Sequence, residues 1–248
     1  MSDAASRFDS RADDYARYRP SYPAEAIDAI LAGLGEPSAL TVVDVGAGTG
    51  ISTRLFSDRG ARAIAIEPND EMRAAAAASG LDTRSGRSDA LGLPDASADV
   101  LICFQAFHWF ANAESVAEFK RVLRSGGRIA LAWNERNDEN AFTREYGAAV
   151  EHFVNRMAYA GYRNGNEVIR TLLRDGGFAN VRQLAFAHAQ TLDYEGVLGR
   201  VRSTTYAPRE GAEQAAMLKT LEDAFARNQR DGRIQLLHRT DVYLAEKP

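Results

Sequence analysis

The stretch Thr41-Val42-Val43-Asp44-Val45-Gly46-Ala47-Gly48-Thr49-Gly50-Ile51 decides the fold. Five mostly β-branched residues run into three glycines spaced two apart, and helix-length sequence follows from Ile51 to Asp58. A strand that hands over to a helix through glycines lets the backbone come close to a ligand, and it aims the first helical N–H groups at that ligand. The dinucleotide fingerprint Gly-x-Gly-x-x-Gly would place its third glycine at position 51; isoleucine stands there, which counts against NAD or FAD. Taken alone, the loop can also be read as a tight strand-to-helix turn, the less favoured of the two readings.

Outward from this turn, short apolar runs alternate with helix-length amphipathic segments from about residue 24 to residue 134, the pattern of a doubly wound parallel sheet with helices on both faces. A second strand is expected over Ala61–Ile66, after the turn at Arg59-Gly60. Asn69 or Asp70 can then cap a helix through the alanine tract 74–78, which Gly80 closes. Ala98–Phe104 is the most apolar strand and belongs at the centre of the sheet. A helix around Glu114–Leu123 follows, and Ser125-Gly126-Gly127 turns into a strand at Arg128–Trp133. Beyond Asn134 the pattern changes. Glu139–Tyr162 reads as a helical cap or lid, followed by a helix at Glu167–Leu173, a break at Asp175-Gly176-Gly177 and a strand starting near Val181. A second polar helical block, Tyr194–Arg230, precedes a closing strand at Arg233–Ala245, which can pair with the strand before it through a non-sequential connection.

The 248 residues carry 30 Lys and Arg against 34 Asp and Glu, a net charge of −4, with 45% hydrophobic and 26% charged residues. So mild an acidity argues against a nucleic-acid partner, which needs concentrated cationic surface. The single cysteine, Cys103, rules out an intrachain disulfide framework and a multi-thiolate metal site; no metal is expected, and Cys103 reads as strand packing. Neither an apolar leader nor a membrane-length apolar run is present, so the expectation is a cytoplasmic protein without a membrane partner, monomeric or homodimeric.

Two acids narrow the reading of the glycine loop. Glu67 stands at the end of the second strand, 21 positions after Gly46, where a carboxylate can accept from both hydroxyls of a ribose. Arg87-Ser88-Asp89-Ala90 falls in the loop before the fourth strand, where a carboxylate can accept from an exocyclic amino group. Either could be an ordinary solvated loop acid. Three ligand-type loops at the carboxyl ends of successive strands coincide, however, where open α/β sheets bind ligands.

With these residues in view, the sequence resembles class I S-adenosylmethionine-dependent methyltransferases of the type 11 small-molecule group. Asp44-Val45-Gly46-Ala47-Gly48-Thr49-Gly50 matches that family's cofactor loop, Glu67 its ribose-binding acid and Ser88-Asp89-Ala90 its adenine loop. Tyr18-Arg19-Pro20-Ser21-Tyr22-Pro23, Gln105-Ala106-Phe107-His108-Trp109-Phe110 and Trp133-Asn134-Glu135-Arg136-Asn137 are similar to segments of the trans-aconitate methyltransferase-like branch. The resemblance implies a Rossmann-like seven-stranded, mostly parallel sheet with an antiparallel C-terminal strand, helices on both faces and a helical lid. Residues 1–23 would form an N-terminal cofactor cover, 24–135 the S-adenosylmethionine-binding core, and 136–248 the rest of the sheet with lid insertions at about 139–162 and 194–230, all in one domain.

It further implies that Gly46, Ala47, Gly48 and Thr49 line the methionine moiety and that Asp44 acts on its amino group directly or through water. Glu67 and Pro68 would take the ribose, Met72 would pack on the adenine, and Ser88, Asp89 and Ala90 would meet its edge. Gln105 and His108 would face the methyl donor as candidate catalytic residues, and Tyr18, Arg19 and Tyr22 would close over it. The product would be S-adenosylhomocysteine. A sulfonium methyl is already activated, so transfer to a small-molecule acceptor demands chiefly alignment and dehydration of the nucleophile. Methylation of a carboxylate or hydroxyl oxygen is favoured over that of an amine. An ionised carboxylate needs no base, whereas a hydroxyl or amine gains from one, and His108 is either that base or a structural ring beside Trp109. His108, Trp109, Asn134 and Arg136 are the candidates for acceptor contacts.

The remaining features are weighed as ordinary packing or surface. His152, His188 and His238 lack metal-ligand spacing and read as structural. Phe104, Phe107, Trp109 and Phe110 could build an acceptor pocket but fit a core as well, Phe104 most of all. Arg136, Arg200, Arg202 and Arg209 could grip an acidic acceptor or simply be solvated. No Asn/Asp-Pro-Pro-aromatic arrangement follows the fourth strand, and no Pro-Cys pair exists, which sets aside base-amine and pyrimidine-C5 methylation. Two alternatives stay open: a cofactor-binding regulatory module without transfer chemistry, and an NAD-dependent oxidoreductase on the same fold.

Overall fold

The computed structural model describes residues 17–153, 165–204, 207, 208 and 210–248. Residues 1–16 of the expected cover, 154–162 of the first lid block and Arg209 lie outside the described residues. Seven strands form one sheet in the order β3-β2-β1-β4-β5-β7-β6, with β1 at Thr41–Val45, β2 at Arg62–Ile66, β3 at Asp82–Arg84, β4 at Ala98–Phe104, β5 at Leu123–Arg136, β6 at Ala179–Leu192 and β7 at Ile234–Glu246. Strands β1 to β5 pair in parallel. β7 inserts between β5 and β6 and runs antiparallel to both. This is the Rossmann-like sheet with one antiparallel C-terminal strand that the resemblance implies.

The helices are α1 (Ala24–Leu31), α2 (Ile51–Ser57), α3 (Asp70–Ala78), α4 (Ala113–Val122), α5 (Ala141–Phe153), α6 (Gly165–Asp175), α7 (Tyr194–Arg202) and α8 (Gly211–Asn228). Strand alternation distributes the core to both faces. Val43, Val45, Leu101, Cys103, Ile129 and Leu131 meet α4 and α6 on one side, while Val42, Val100, Ile102, Ala130 and Ala132 meet α1 and α2 on the other. Cys103 is fully buried in the first of these clusters. Burying strands on both faces explains why β1 and β4 read as nearly continuous apolar runs. A third cluster lies in the C-terminal helical blocks, where Phe142 and Tyr146 of α5, Val197 of α7, and Met217 and Leu221 of α8 close over Ile234 and Leu236 at the start of β7.

Several elements differ from or sharpen what the sequence pattern predicts. The third strand is three residues long, half-exposed and paired only through Ile64↔Asp82, Ala65↔Thr83 and Ile66↔Arg84, too short and polar for a pattern to reveal. β5 extends at both ends of the expected Arg128–Trp133. Its start includes the Ser125-Gly126-Gly127 turn through a register shift against β4, and its end is drawn out to Arg136 by pairing with His238 on β7. The second helical block divides into α7 and α8. Asn69, not Asp70, caps α3, its side chain accepting from the Met72 amide at 2.9 Å.

Candidate active site

The sheet order reverses between β1 and β4, and a crevice opens at the carboxyl ends of the strands around that switch. It holds a cleft of about 540 Å³. Arg19, Tyr22, Gly46, Ala47, Gly48, Glu67, Pro68, Met72, Ser88, Asp89, Gln105, Trp109 and Asn134 line it, so most residues picked out from the sequence converge on one cavity. Tyr18, Asp44, Thr49, Ala90, His108 and Arg136 are not on its wall.

The glycine loop is shaped by the cleft. Gly46, Gly48 and Gly50 have φ values of 73°, 58° and 83°, a region glycine enters without strain. A Cβ on Gly46 would lie 2.7 Å from the Ala106 side chain, so this glycine also permits the β1 and β4 loops to touch. Behind the loop, the Glu67 carboxylate is held by two backbone donors, Gly48 N–H to Oε2 at 2.8 Å and Asn69 N–H to Oε1 at 2.9 Å. Burial raises its pKa, and the two N–H groups and Arg73 act against that rise. A carboxylate so fixed retains lone pairs for two further donors, the requirement of a ribose diol.

Asp44 is fully buried at the foot of α2. Its Oδ2 accepts from Ser52 at 2.6 Å and Thr53 at 2.7 Å. Oδ1, like the buried hydroxyl of Thr49, finds no hydrogen-bond partner among the described residues. Burial pushes the Asp44 carboxyl up from 3.8 to about 6, although the two hydroxyls oppose the shift. An anion buried with one oxygen unanswered suits a cationic ligand group such as the ammonium of a methionine moiety. The residues present therefore fit an adenosyl-methionine group.

Asp89 is gripped by Arg87 through two contacts, Nε to Oδ1 at 3.0 Å and Nη2 to Oδ2 at 2.8 Å. Arg87 and Ala90 exchange backbone hydrogen bonds, closing a tight loop. Ser88 and Ser115 join their hydroxyls at 2.9 Å. Met72 is buried and offers its side chain to the cleft.

At the other end, Gln105 sits at φ 57° on the tip of β4, an uncommon conformation for a residue with a side chain. Its Nε2 donates to the Asn134 carbonyl at 3.1 Å. Such strain costs about 1–3 kcal/mol and concentrates at functional sites. Trp109 stands at the rim, 40% exposed. His108 turns from the wall toward Trp133, whose indole N–H lies 3.5 Å from His108 Nδ1. Burial lowers the His108 pKa to about 4, leaving a neutral imidazole at neutral pH. Tyr22 packs edge-on against Phe104 with ring centroids 4.6 Å apart. Tyr18 lies over Gly199 of α7, where a Cβ would come within 2.3 Å of the ring.

Arg136 faces the C-terminal helical blocks. It pairs with Glu151 of α5, and its Nε sits 3.0 Å from where a Cβ on Gly147 would be. Arg202 pairs with Glu195 at 3.5 Å, and Arg200 reaches the hydroxyls of Ser203 and Thr204. Among the described residues no group of His, Cys, Asp and Glu is placed to hold a metal, and no helix is long and apolar enough to cross a membrane.

Asn69, expected only as a helix cap, Arg87, which opens the loop at Ser88 and Asp89, and Asn112, which the sequence did not single out, also stand on the cleft wall. Asn69 and Asn112 cap α3 and α4. Helix starts at the carboxyl ends of parallel strands necessarily face the crevice, so the two asparagine caps were a usable signal. Phe104 and Phe110 also reach the wall, although both pack in or against the core.

Residues 43–131 match the methyltransferase domain family. An uncharacterized methyltransferase of Mycobacterium tuberculosis is 38% identical over 150 residues, 60% of this chain and 60% of that protein. The chain thus spans about 60% of the length of its mycobacterial relatives. An uncharacterized methyltransferase-like protein of Schizosaccharomyces pombe is 28% identical over 242 residues, covering 94% of this chain and 93% of that one. Among solved structures, a protein of Anaeromyxobacter dehalogenans provisionally named a type II methyltransferase shares the fold with a TM-score of 0.64 at 20% identity, over 92% of this chain and 98% of that one. The fold is thus shared with solved methyltransferase-like structures, and the match to the methyltransferase domain family falls on β1 to β5, the strands whose carboxyl ends form the cleft.

Proposed function

We propose that the protein transfers a methyl group from S-adenosylmethionine to a small-molecule acceptor, with a carboxylate or hydroxyl oxygen favoured over an amine. One observation carries this reading: a single cleft runs from the Glu67 carboxylate to Gln105, Trp109 and Asn134, with Arg19 and Tyr22 on its wall. Its two ends differ in chemistry as a cofactor and an acceptor would require. The similarity of residues 18–23, 105–110 and 133–137 to the trans-aconitate methyltransferase-like branch supports an acidic acceptor.

When bound, S-adenosylmethionine supplies an activated sulfonium methyl. The chain's own part is positional. Glu67 would hold the ribose, Met72 and the loop at Ser88 and Asp89 would hold the adenine, and Asp44, buried behind the glycine loop, would act on the ammonium directly or through water. Gln105, fixed by the Asn134 carbonyl, borders the methyl end, and the aromatic rim of Trp109 and Phe110 excludes water from the acceptor. Indole N–H only donates, so Trp133 leaves the His108 proton on Nε2. Lying behind the wall with its basicity lowered by burial, this ring is a poor general base, which favours acceptors that need no proton removed.

The test is a screen for S-adenosylhomocysteine release over small carboxylic acids, phenols and amines. Turnover with a carboxylate or hydroxyl acceptor is expected. Turnover confined to amines would overturn the preference for oxygen, and binding of S-adenosylmethionine without transfer to any acceptor would favour a regulatory module.

A further inference from the structure

The sheet face that packs on α1 and α2 changes character toward the upper ends of β5, β7 and β6. Ala130 and Ala132 of β5, Val242 of β7 and Leu184 and Phe186 of β6 are apolar. Continuing at intervals of two, the same face carries Asn134, then Thr240 and His238, then His188 and Gln190. Strand pairing sets Asn134 opposite Thr240 and His188 opposite His238. The two imidazoles stack with centroids 5.1 Å apart and planes at 26°.

The cover segment lies against this polar row. Asn134 Nδ2 donates to the Ser21 carbonyl at 3.0 Å, and Gln190 Nε2 donates to the Tyr18 carbonyl at 3.2 Å. A backbone carbonyl can only accept, so both amides are fixed in orientation. Asn134 Oδ1 then faces Thr240 Oγ1 at 2.5 Å and His188 Nε2 at 3.3 Å, and Gln190 Oε1 faces His238 Nε2 at 3.3 Å. An amide oxygen likewise only accepts, so each histidine carries its proton on Nε2. Burial keeps both rings neutral, and for His238 the cations Arg200 and Arg136 add to that effect.

We infer that His188 and His238 are positioning residues for cofactor binding: each orients an amide, Asn134 or Gln190, that holds a backbone carbonyl of the cover and keeps Arg19 and Tyr22 on the cleft wall. This rests on reading the cleft as the adenosyl cofactor site. Residues 19–23 have no helix or strand of their own, so the place of this segment depends on side-chain contacts of this kind. The arrangement also gives the antiparallel pair of β6 and β7 a task at a site formed by the parallel strands.

The experiment is titration of the full chain with S-adenosylhomocysteine, alongside imidazole 15N NMR of the unliganded protein. Wild type is expected to bind, with His188 and His238 both in the Nε2–H form. His188→Leu should weaken binding about tenfold, the size of one lost buried hydrogen bond, and His188→Gln, which restores a donor toward Asn134 Oδ1, should recover most of it. Asn134→Asp should weaken binding more than tenfold, since it turns a donor to Ser21 into a repelling oxygen. An Nδ1–H tautomer at either ring, affinity within twofold of wild type in both His188→Leu and Asn134→Asp, or a His188→Gln variant as weak as His188→Leu would overturn the inference. Failure of the wild type to bind, with the Nε2–H signature intact, would instead overturn the cofactor reading and with it the role given to the histidines.

Discussion

Asp44 and Glu67 are buried acids whose pKa values burial raises, and each gives up stability in the unliganded protein for the sake of a ligand. For Asp44, the folded state binds more protons than the unfolded chain between pH 3.8 and about 6. Its contribution to stability therefore falls as pH rises through that window, and the full penalty is present above it. Asp44→Asn removes the charge and keeps an oxygen for Ser52 and Thr53. The unliganded variant should be more stable than wild type by about 1–3 kcal/mol at pH 8, with the gain vanishing near pH 4, as read by denaturant unfolding. Its affinity for S-adenosylhomocysteine should fall about tenfold or more, the loss of a charge-assisted contact. Much at this scale was legible in advance. Glycines that must adopt positive φ announce the loop at 46–50, and acids at strand ends announce Glu67 and Asp89. The strained Gln105 was legible only through the family motif, because nothing in a glutamine's own propensity predicts φ 57°. The facing of His188 and His238 was not legible either, because it depends on which residue of β6 pairs with which of β7.

At the scale of elements, the strands read most clearly are those buried on both faces, β1 and β4, where apolar composition and position agree. β3 escaped because three half-exposed residues at a sheet edge carry no periodicity. The ends of β5 escaped because they are set by partners, a register shift against β4 at one end and β7 at the other. Within the C-terminal helical blocks, apolar spacing on α5 and α8 builds a separate core, in which Leu221 is fully buried. Truncating that side chain leaves a cavity bounded by α5, α7 and the start of β7. Leu221→Ala should cost about 2–5 kcal/mol, and hydrogen exchange should rise first in α5 and α8, ahead of β1 and β4. Uniform acceleration across the sheet would show that helical blocks and sheet unfold as one unit.

Over the whole molecule, the topological switch between β1 and β4 creates a crevice, Arg19 and Tyr22 of the N-terminal segment line it, and side chains of β5 and β6 hold that segment by its backbone. The net charge of −4 is consistent with a site built from individual buried carboxylates instead of a cationic face. The central claim is that this crevice is an adenosyl-methionine site, and calorimetric titration with S-adenosylhomocysteine and with NAD tests it most directly, for the wild type and for Glu67→Ala. Saturable binding of S-adenosylhomocysteine is expected, with no comparable binding of NAD and a loss of about 1–3 kcal/mol on removing the Glu67 carboxylate. Preference for NAD, or an affinity for S-adenosylhomocysteine unchanged in Glu67→Ala, would contradict it.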